Sequence, residues 1–325
     1  MKTRRLITLL SLAMLALMPT ITARPQTMPP PIVGRWDLTV SRGGEKYTSW
    51  LEVERSGWQA LVGRFVGRIG GARPIGRIEW SNGVARFSIP AQWESSSTNL
   101  RFEGRLKEDE SLVGTITLSN GTVEQYVEQF VGRRVPSLRR EMPRAWSRPV
   151  KLFNGNDLSG WITAPTARSL PSHWTVRDGL LVNTANEGAN LMTVERFQDF
   201  KLHVEFRYPK GGDSGVFLRG RYEVQIRDND NRDWPTEATS GAVYSFLIPN
   251  ENASTSPGQW QTFDITLVGR RVTVILNGKV VIADQIIPGL SGSAIDSDES
   301  SPGPIILQGE ETVVEFRNIK ISVPR

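Results

Sequence analysis

The chain has 325 residues, with 39 Lys and Arg against 34 Asp and Glu, two histidines and no cysteine. Without cysteine there is no disulfide, thiolate nucleophile or cysteine-based metal site, and His173 and His203 alone are too few for a histidine-rich metal centre. The formal charge of +5 falls to +2 once Lys2, Arg4 and Arg5 are set aside, too little to point to nucleic acid.

Those three basic residues open a segment that continues as an apolar run, Leu6–Met18, then Pro19 and small residues ending at Ala23. This order predicts a secretory signal over residues 1–23 and a periplasmic or secreted product. The run is short of the ~20 residues of a membrane span, and no other segment approaches that length. Residues 24–31 form a Pro-rich, extended leader.

Residues 32–135 read as a small antiparallel β domain, a barrel or sandwich of about six to eight strands by the spacing of its turns. Apolar and polar residues alternate in Tyr47–Glu54, Val84–Ile89, Asn99–Leu106 and Thr122–Val131, with turn signals at Gly43-Gly44, Asn82-Gly83, Lys107–Ser111 and Asn120-Gly121. Residues 136–149 are basic and Pro-bearing, and read as a linker with at most one short helical turn.

Residues 150–325 are again β. Alternating runs cover His173–Asn183, Asp199–Tyr208, Gly212–Asp228, Gln261–Gly269, Arg271–Val281, Pro304–Gly309 and Val313–Ile321, with Asn277-Gly278 as a hairpin turn. The fold class is therefore all-β: a jelly-roll sandwich preceded by a smaller barrel or sandwich. Trp161 and Trp174 are expected in its core. Gly212–Asp228 reads as one long strand. Arg219, Arg221, Glu223, Gln225 and Arg227 then share one face, opposite Val216, Leu218, Tyr222, Val224 and Ile226. On a concave sheet such a polar row binds polyols or cleaves sugars; on a convex one it is solvated decoration.

The motifs LFNGNDLSGW (Leu152–Trp161), WTVRDGLL (Trp174–Leu181), FKLHVEFR (Phe200–Arg207), GDSGVFLRGRYEVQIRD (Gly212–Asp228), SGAVYS (Ser240–Ser245), GQW (Gly258–Trp260), LNGKVV (Leu276–Val281) and ILQGEETVVEFRNIKI (Ile306–Ile321) follow one another along this half. In that order they resemble the 3-keto-disaccharide hydrolase family, also known as domain of unknown function 1080, over about Lys151–Val323. The chain departs from it at Asp213, where the family usually has Asn, and after Gln308, where Gly309-Glu310-Glu311 replaces a frequent His-Gly. The resemblance implies a concanavalin-like jelly roll acting on oxidised glycosides.

A 3-keto sugar needs a base for its C2 proton, donors for the enolate oxygen and an acid for the leaving group. Glu223 is the candidate base, with Arg219 and Gln225 on the same strand face, four and two residues from it, as candidate substrate-binding groups; an ion-pair ladder of low worth is the plainer alternative. Asp228 is a second catalytic candidate, on the opposite parity unless a bulge redirects it, and capping accounts for it equally well. Glu205 and Arg207 extend the sugar surface if their strand neighbours the first, whereas His203 reads as exposed. Gln308 at a strand end and Tyr244 are candidate hydroxyl and ring contacts. No metal ligand set is expected and no cofactor is required; Asn154–Asp157, read first as a turn, and the acidic loop Asp296, Asp298 and Glu299 leave room for structural calcium. The expected partner is a small sugar substrate. The competing readings are a non-catalytic carbohydrate-binding protein, disfavoured because Arg, Glu and Gln stand where sugar binders display aromatic platforms, and a structural envelope protein.

Overall fold

The computed structural model describes residues 28–91, 99–119, 125–165, 170–184, 188–228, 234–309 and 312–325. The expected signal, the turn at Asn120-Gly121, and Glu310 and Glu311 lie outside the described residues. Every regular element among the described residues is a strand.

In the first half, eight strands close into a barrel: β1 (Gly34–Arg42), β2 (Glu45–Ser56), β3 (Ala60–Val66), β4 (Arg73–Ser81), β5 (Val84–Ile89), β6 (Leu100–Leu106), β7 (Leu112–Ser119) and β8 (Gln125–Arg134). They pair in sequence order, and β8 returns to β1 from Trp36↔Arg134 to Ser41↔Gln129. The Asn82-Gly83 turn joins β4 to β5 with φ of 49° and 75°, the left-handed pair that a tight hairpin requires. Alternation sends Trp36, Leu38, Val40, Leu51 and Val53 inward, where Phe87, Phe102 and Phe130 stack with centroids 4.5 and 4.7 Å apart.

The second half is a two-sheet sandwich. Its strands are β9 (Val150–Lys151), β10 (Trp161–Thr163), β11 (Trp174–Arg177), β12 (Leu180–Asn183), β13 (Leu191–Thr193), β14 (Phe200–Arg207), β15 (Asp213–Leu218), β16 (Tyr222–Arg227), β17 (Gln261–Val268), β18 (Arg271–Leu276), β19 (Lys279–Ile286), β20 (Ile306–Leu307) and β21 (Val314–Ser322). One sheet runs β10-β13-β20-β15-β16; the other runs β11-β12-β21-β14-β17-β18-β19, with β9 beside β21. Between them lie Val216, Leu218, Tyr222, Val224 and Ile226 of the smaller sheet and Leu202, Val204, Phe206, Phe263, Ile265 and Phe316 of the larger. Trp161 and Trp174 are in this core, their indole N–H groups donating to Leu152 and Ala189 carbonyls at 2.8 Å.

Two of the alternating runs, one of them read as a single long strand, are hairpins. His173–Asn183 turns at Asp178-Gly179, with φ of 52° and 76°. Gly212–Asp228 turns at Arg219-Gly220, with φ of 53° and 67°, closed by the Arg221 N–H donating to the Leu218 carbonyl at 3.1 Å. Three residues separate Leu218 from its partner Tyr222, so the register pairs odd positions with odd and even with even. The inside-outside alternation therefore continues unbroken through the turn, which hid it from a reading by parity.

Residues 136–149 form no helix and lie against the sandwich. Arg140 reaches Asp199 at 3.1 Å, Ser147 N–H donates to Val323, and Lys201 lies over Trp146 at 5.1 Å. The barrel itself docks on the sandwich. Trp50 points out of the barrel, is 0% exposed, and belongs to the sandwich core cluster, edge-on to Phe246 at 5.1 Å and packed on Gly289. Thr39 and Ser297 hydroxyls meet at 2.6 Å, and Ser293 N–H donates to the Arg68 carbonyl at 3.0 Å.

Candidate functional site

The site is built on the β15–β16 hairpin. Cross-strand pairing sets Asp213 opposite Arg227, Gly215 opposite Gln225 and Phe217 opposite Glu223, so all six share the face turned away from the sandwich core. β20 joins the same face: Ile306 pairs with Phe217, and Gln308 lies one position past Leu307 with its N–H donating to the Gly215 carbonyl at 2.9 Å.

Glu223 sits at the centre, only 5% exposed. Its main chain is clamped on both sides: its N–H donates to Ser291 Oγ at 3.1 Å, and its carbonyl accepts from Tyr244 N–H at 2.9 Å. Its carboxylate leans across the hairpin onto Gly215. A Cβ at 215 would lie 2.5 Å from Glu223 Oε1, so only glycine there leaves space for the acid. Gln225, 3% exposed, donates to Asp213 Oδ1 at 2.6 Å, and Arg227 approaches Asp213 Oδ2 at 3.5 Å. Asp213 thus orients an amide and a guanidinium on one face. Gln308 Oε1 is buried and accepts no hydrogen bond among the described residues.

Tyr244 overhangs this face. Burial, and next the negative charge of Glu223, push its phenol above the ordinary value, with Arg227 opposing the rise and Asp213 adding to it. The phenol is therefore protonated at neutral pH and near the carboxylate.

Of the residues singled out in the sequence, the structure brings together Glu223, Gln225, Tyr244 and Gln308. Arg219 leaves the group. It occupies the hairpin turn, is 0% exposed, and donates from Nη2 to Tyr222 Oη at 3.0 Å and to the Gly269 carbonyl at 2.8 Å. Arg221 is likewise taken inward, to Asp296 at 2.7 Å and the Ser301 carbonyl at 3.0 Å. A turn frees side chains from strand parity, and these two arginines hold the hairpin under the 291–303 segment.

Glu205 and Arg207 also lie elsewhere. β14 is flanked by β17 and β21 in the larger sheet, so it does not neighbour the hairpin. Partial burial opposes ionisation of Glu205, but hydrogen bonds from Arg317 and Asn318 outweigh it and hold the carboxyl below its ordinary value; Arg207 pairs with Glu315. His203 joins them on that outer face, 2.7 Å from Asp264. Asp228 caps the hairpin base, accepting from Gly211 N–H at 2.8 Å.

The oxygens of Asn154–Asp157 close an Asx turn: Asn154 Oδ1 accepts from the N–H groups of Asn156 and Asp157, and Asp157 Oδ1 from Ser159. Asp298 accepts from the Ser300 and Ser301 hydroxyls, and Glu299 is buried against Arg270 at 3.2 Å. No group of three or more His, Asp or Glu is placed to hold a metal among the described residues. No helix among them is long and apolar enough to cross a membrane.

Sequence reasoning passed over Asp213 as a site residue, although the hairpin pairs it with Arg227, and it passed over the barrel. The β3–β4 loop reaches the site's rim: Gly71 packs on the Ser245 hydroxyl, and a Cβ there would lie 3.8 Å from Tyr244 Oη. No local pattern announces a contact between residues so far apart in the chain.

The family model described as a 3-keto-alpha-glucoside-1,2-lyase-like domain matches residues 148–322. A 3-keto-disaccharide hydrolase of Bacteroides thetaiotaomicron is 30% identical over 111 residues, which span 32% of this chain and 38% of that protein. Two crystal structures of candidate glycosyl hydrolases from Parabacteroides distasonis are similar. One is 27% identical with a TM-score of 0.47, covering 57% of this chain and 94% of its own. The other is 21% identical with a TM-score of 0.44, covering 53% and 92%. By the extent of the domain match, the chain belongs to the 3-keto-alpha-glucoside-1,2-lyase-like family.

Proposed function

We infer that the chain cleaves 3-keto-glycosides, with Glu223 as the base. The observation that carries this reading is the gathering of one buried carboxylate, two amides and a protonated phenol on a single sheet face, with a glycine making room for the carboxylate.

A ketone at C3 acidifies the C2 hydrogen. Glu223 takes that proton, and the electron pair of the C–H bond passes into the C2–C3 enolate, its charge resting on the former ketone oxygen. Gln225, Gln308 and Arg227 are the groups of this face suited to the sugar's oxygens, Arg227 being the accessible cation with its side chain 45% exposed. The enolate pair then forms the C1–C2 double bond as the C1–O bond breaks. The leaving oxygen keeps that bond's electrons and takes a proton from Tyr244. Addition of water across C1–C2 completes a net hydrolysis; release before that step is a lyase reaction. The acidity comes from the ketone, so the chemistry as written calls on no redox cofactor.

A glycosidase acting on unoxidised sugars needs instead two carboxylates at set separations flanking the bond. Here the second acid of the face, Asp213, is occupied by Gln225 and Arg227. The test is to offer the purified protein a 3-keto-disaccharide and its unoxidised parent, and to follow released monosaccharide. Cleavage of the keto form alone supports the reading, and equal cleavage of both overturns it.

A further inference from the structure

The barrel has no role in the reaction just described, yet its β3–β4 loop, residues 67–72, touches the segment that carries Tyr244. We propose that this loop is a wall of the site on the leaving-group side, and that it sets how large a leaving group is admitted. The inference rests on the functional reading above and deepens it.

Three contacts place the loop. Ser293 N–H donates to the Arg68 carbonyl at 3.0 Å. Gly292 meets Gly70 backbone to backbone, so that a Cβ at 292 would lie 2.5 Å from the Gly70 carbonyl oxygen and 2.9 Å from its nitrogen. Gly71 packs on Ser245, next to Tyr244. Trp50 and Phe246 fix the same junction from the other side, with the Arg64 guanidinium 5.6 Å from each ring.

The six loop residues are each half-buried: docked on one side and open on the other. Their neighbour Tyr244 donates its N–H to the Glu223 carbonyl at 2.9 Å, and its phenol oxygen lies 3.8 Å from where a Cβ at Gly71 would stand, so the loop adjoins the polar face. If Tyr244 protonates the departing oxygen, the group next to the loop is the one that departs. A glycine at 71 keeps that wall thin; a Cβ there would lie 2.3 Å from Ser245 Oγ, so a side chain turns the serine hydroxyl aside and crowds the Tyr244 side without touching Glu223 or Gln225.

The experiment compares kcat/KM for a methyl 3-keto-glucoside and a 3-keto-disaccharide in the wild type, Gly71→Leu, Gly71→Ala and Gly292→Ala. A methylene's worth of bulk in a pocket shifts discrimination by roughly 10- to 200-fold. Gly71→Leu should therefore lower the disaccharide-to-methyl ratio by at least about tenfold, and Gly71→Ala should lower it less. Gly292→Ala pushes the loop away and should shift the ratio in the opposite direction. Equal losses on both substrates, or no change in the ratio, overturn the proposal. The same ratio is read as binding, by calorimetry, in Glu223→Gln protein. Binding selectivity that follows Gly71, when protein retaining Glu223 turns over neither glycoside, upholds the wall and rejects the reaction; no binding of either glycoside rejects both.

Discussion

Trp50 is the residue on which the union of barrel and sandwich depends, and truncating it to alanine measures that union. A buried tryptophan removes about 150–250 Å² from water, worth about 4–6 kcal/mol at about 25 cal/mol per Å². The edge contact with Phe246 adds about 0.5–1.5 kcal/mol. Against this, Trp50 Nε1 is buried and donates to no acceptor among the described residues, which costs about 1–3 kcal/mol. The balance predicts that Trp50→Ala destabilises the docked protein by about 3–4 kcal/mol, within the range for large-to-small core changes. Trp50→Phe keeps most of the ring and removes the orphan donor, so it should cost only about 1 kcal/mol. Urea unfolding is the assay, with protease sensitivity of the β3–β4 loop, residues 67–72, as a second readout, since undocking uncovers it. A loss below about 1 kcal/mol in Trp50→Ala, or a larger loss in Trp50→Phe than in Trp50→Ala, would refute the reasoning.

Other outcomes follow from the same contacts. Gly215→Ala should cut turnover sharply with a modest stability change, because its methyl displaces the Glu223 carboxylate; unchanged turnover would place the base elsewhere. Arg219→Ala should cost stability in the same urea assay, since it empties the hairpin turn of its buried anchor. Loss of substrate affinity in a protein of wild-type stability would return Arg219 to the binding face. Asp37, buried where the barrel meets Glu299 and Arg270, has its carboxyl raised well above the ordinary value, by burial first and the Glu299 charge second. A raised acid is stabilising below its unfolded value, near 4, and that contribution is lost as pH rises through the folded value. Asp37→Asn should therefore gain Tm relative to the wild type as pH climbs from about 4 to about 7, and a flat difference contradicts this. N-terminal sequencing of the exported protein should find a start near Arg24; an intact Met1 on cytosolic protein would count against the signal.

The all-β class was legible because alternation and Asn-Gly turns are local: Asn82-Gly83 and Asn277-Gly278 lie at hairpin turns with left-handed backbone, as their chemistry demands. Arg219-Gly220 has the same geometry but sits inside a run whose alternation never breaks, so parity alone misses it, whereas at Asp178-Gly179 the core face passes from even positions, Trp174 and Val176, to the odd Leu181. Gln308 joins Glu223 and Gln225 through the pairing of β15 with β20, which no local pattern encodes, whereas those two were legible as neighbours on one face because the hairpin register preserves parity. Arg219 was not, because a turn residue answers to its packing. Glu205 and Arg207 were misplaced for another reason. Strand order depends on pairings over long separations, such as β14 with β21, which no local pattern encodes. The barrel's contribution at Gly71 is of the same long-range kind.

The central claim is that Glu223 removes the C2 proton, and Glu223→Gln tests it most directly because it keeps the shape and removes the base. Exchange of the C2 hydrogen of a 3-keto-glycoside with deuterated solvent reports that single transfer, independently of bond cleavage. A positioned general base contributes roughly 10²–10⁴-fold, so exchange and cleavage should fall together by about that factor while Tm stays near the wild-type value. Near-full exchange in Glu223→Gln, or exchange lost while cleavage persists, would contradict the account.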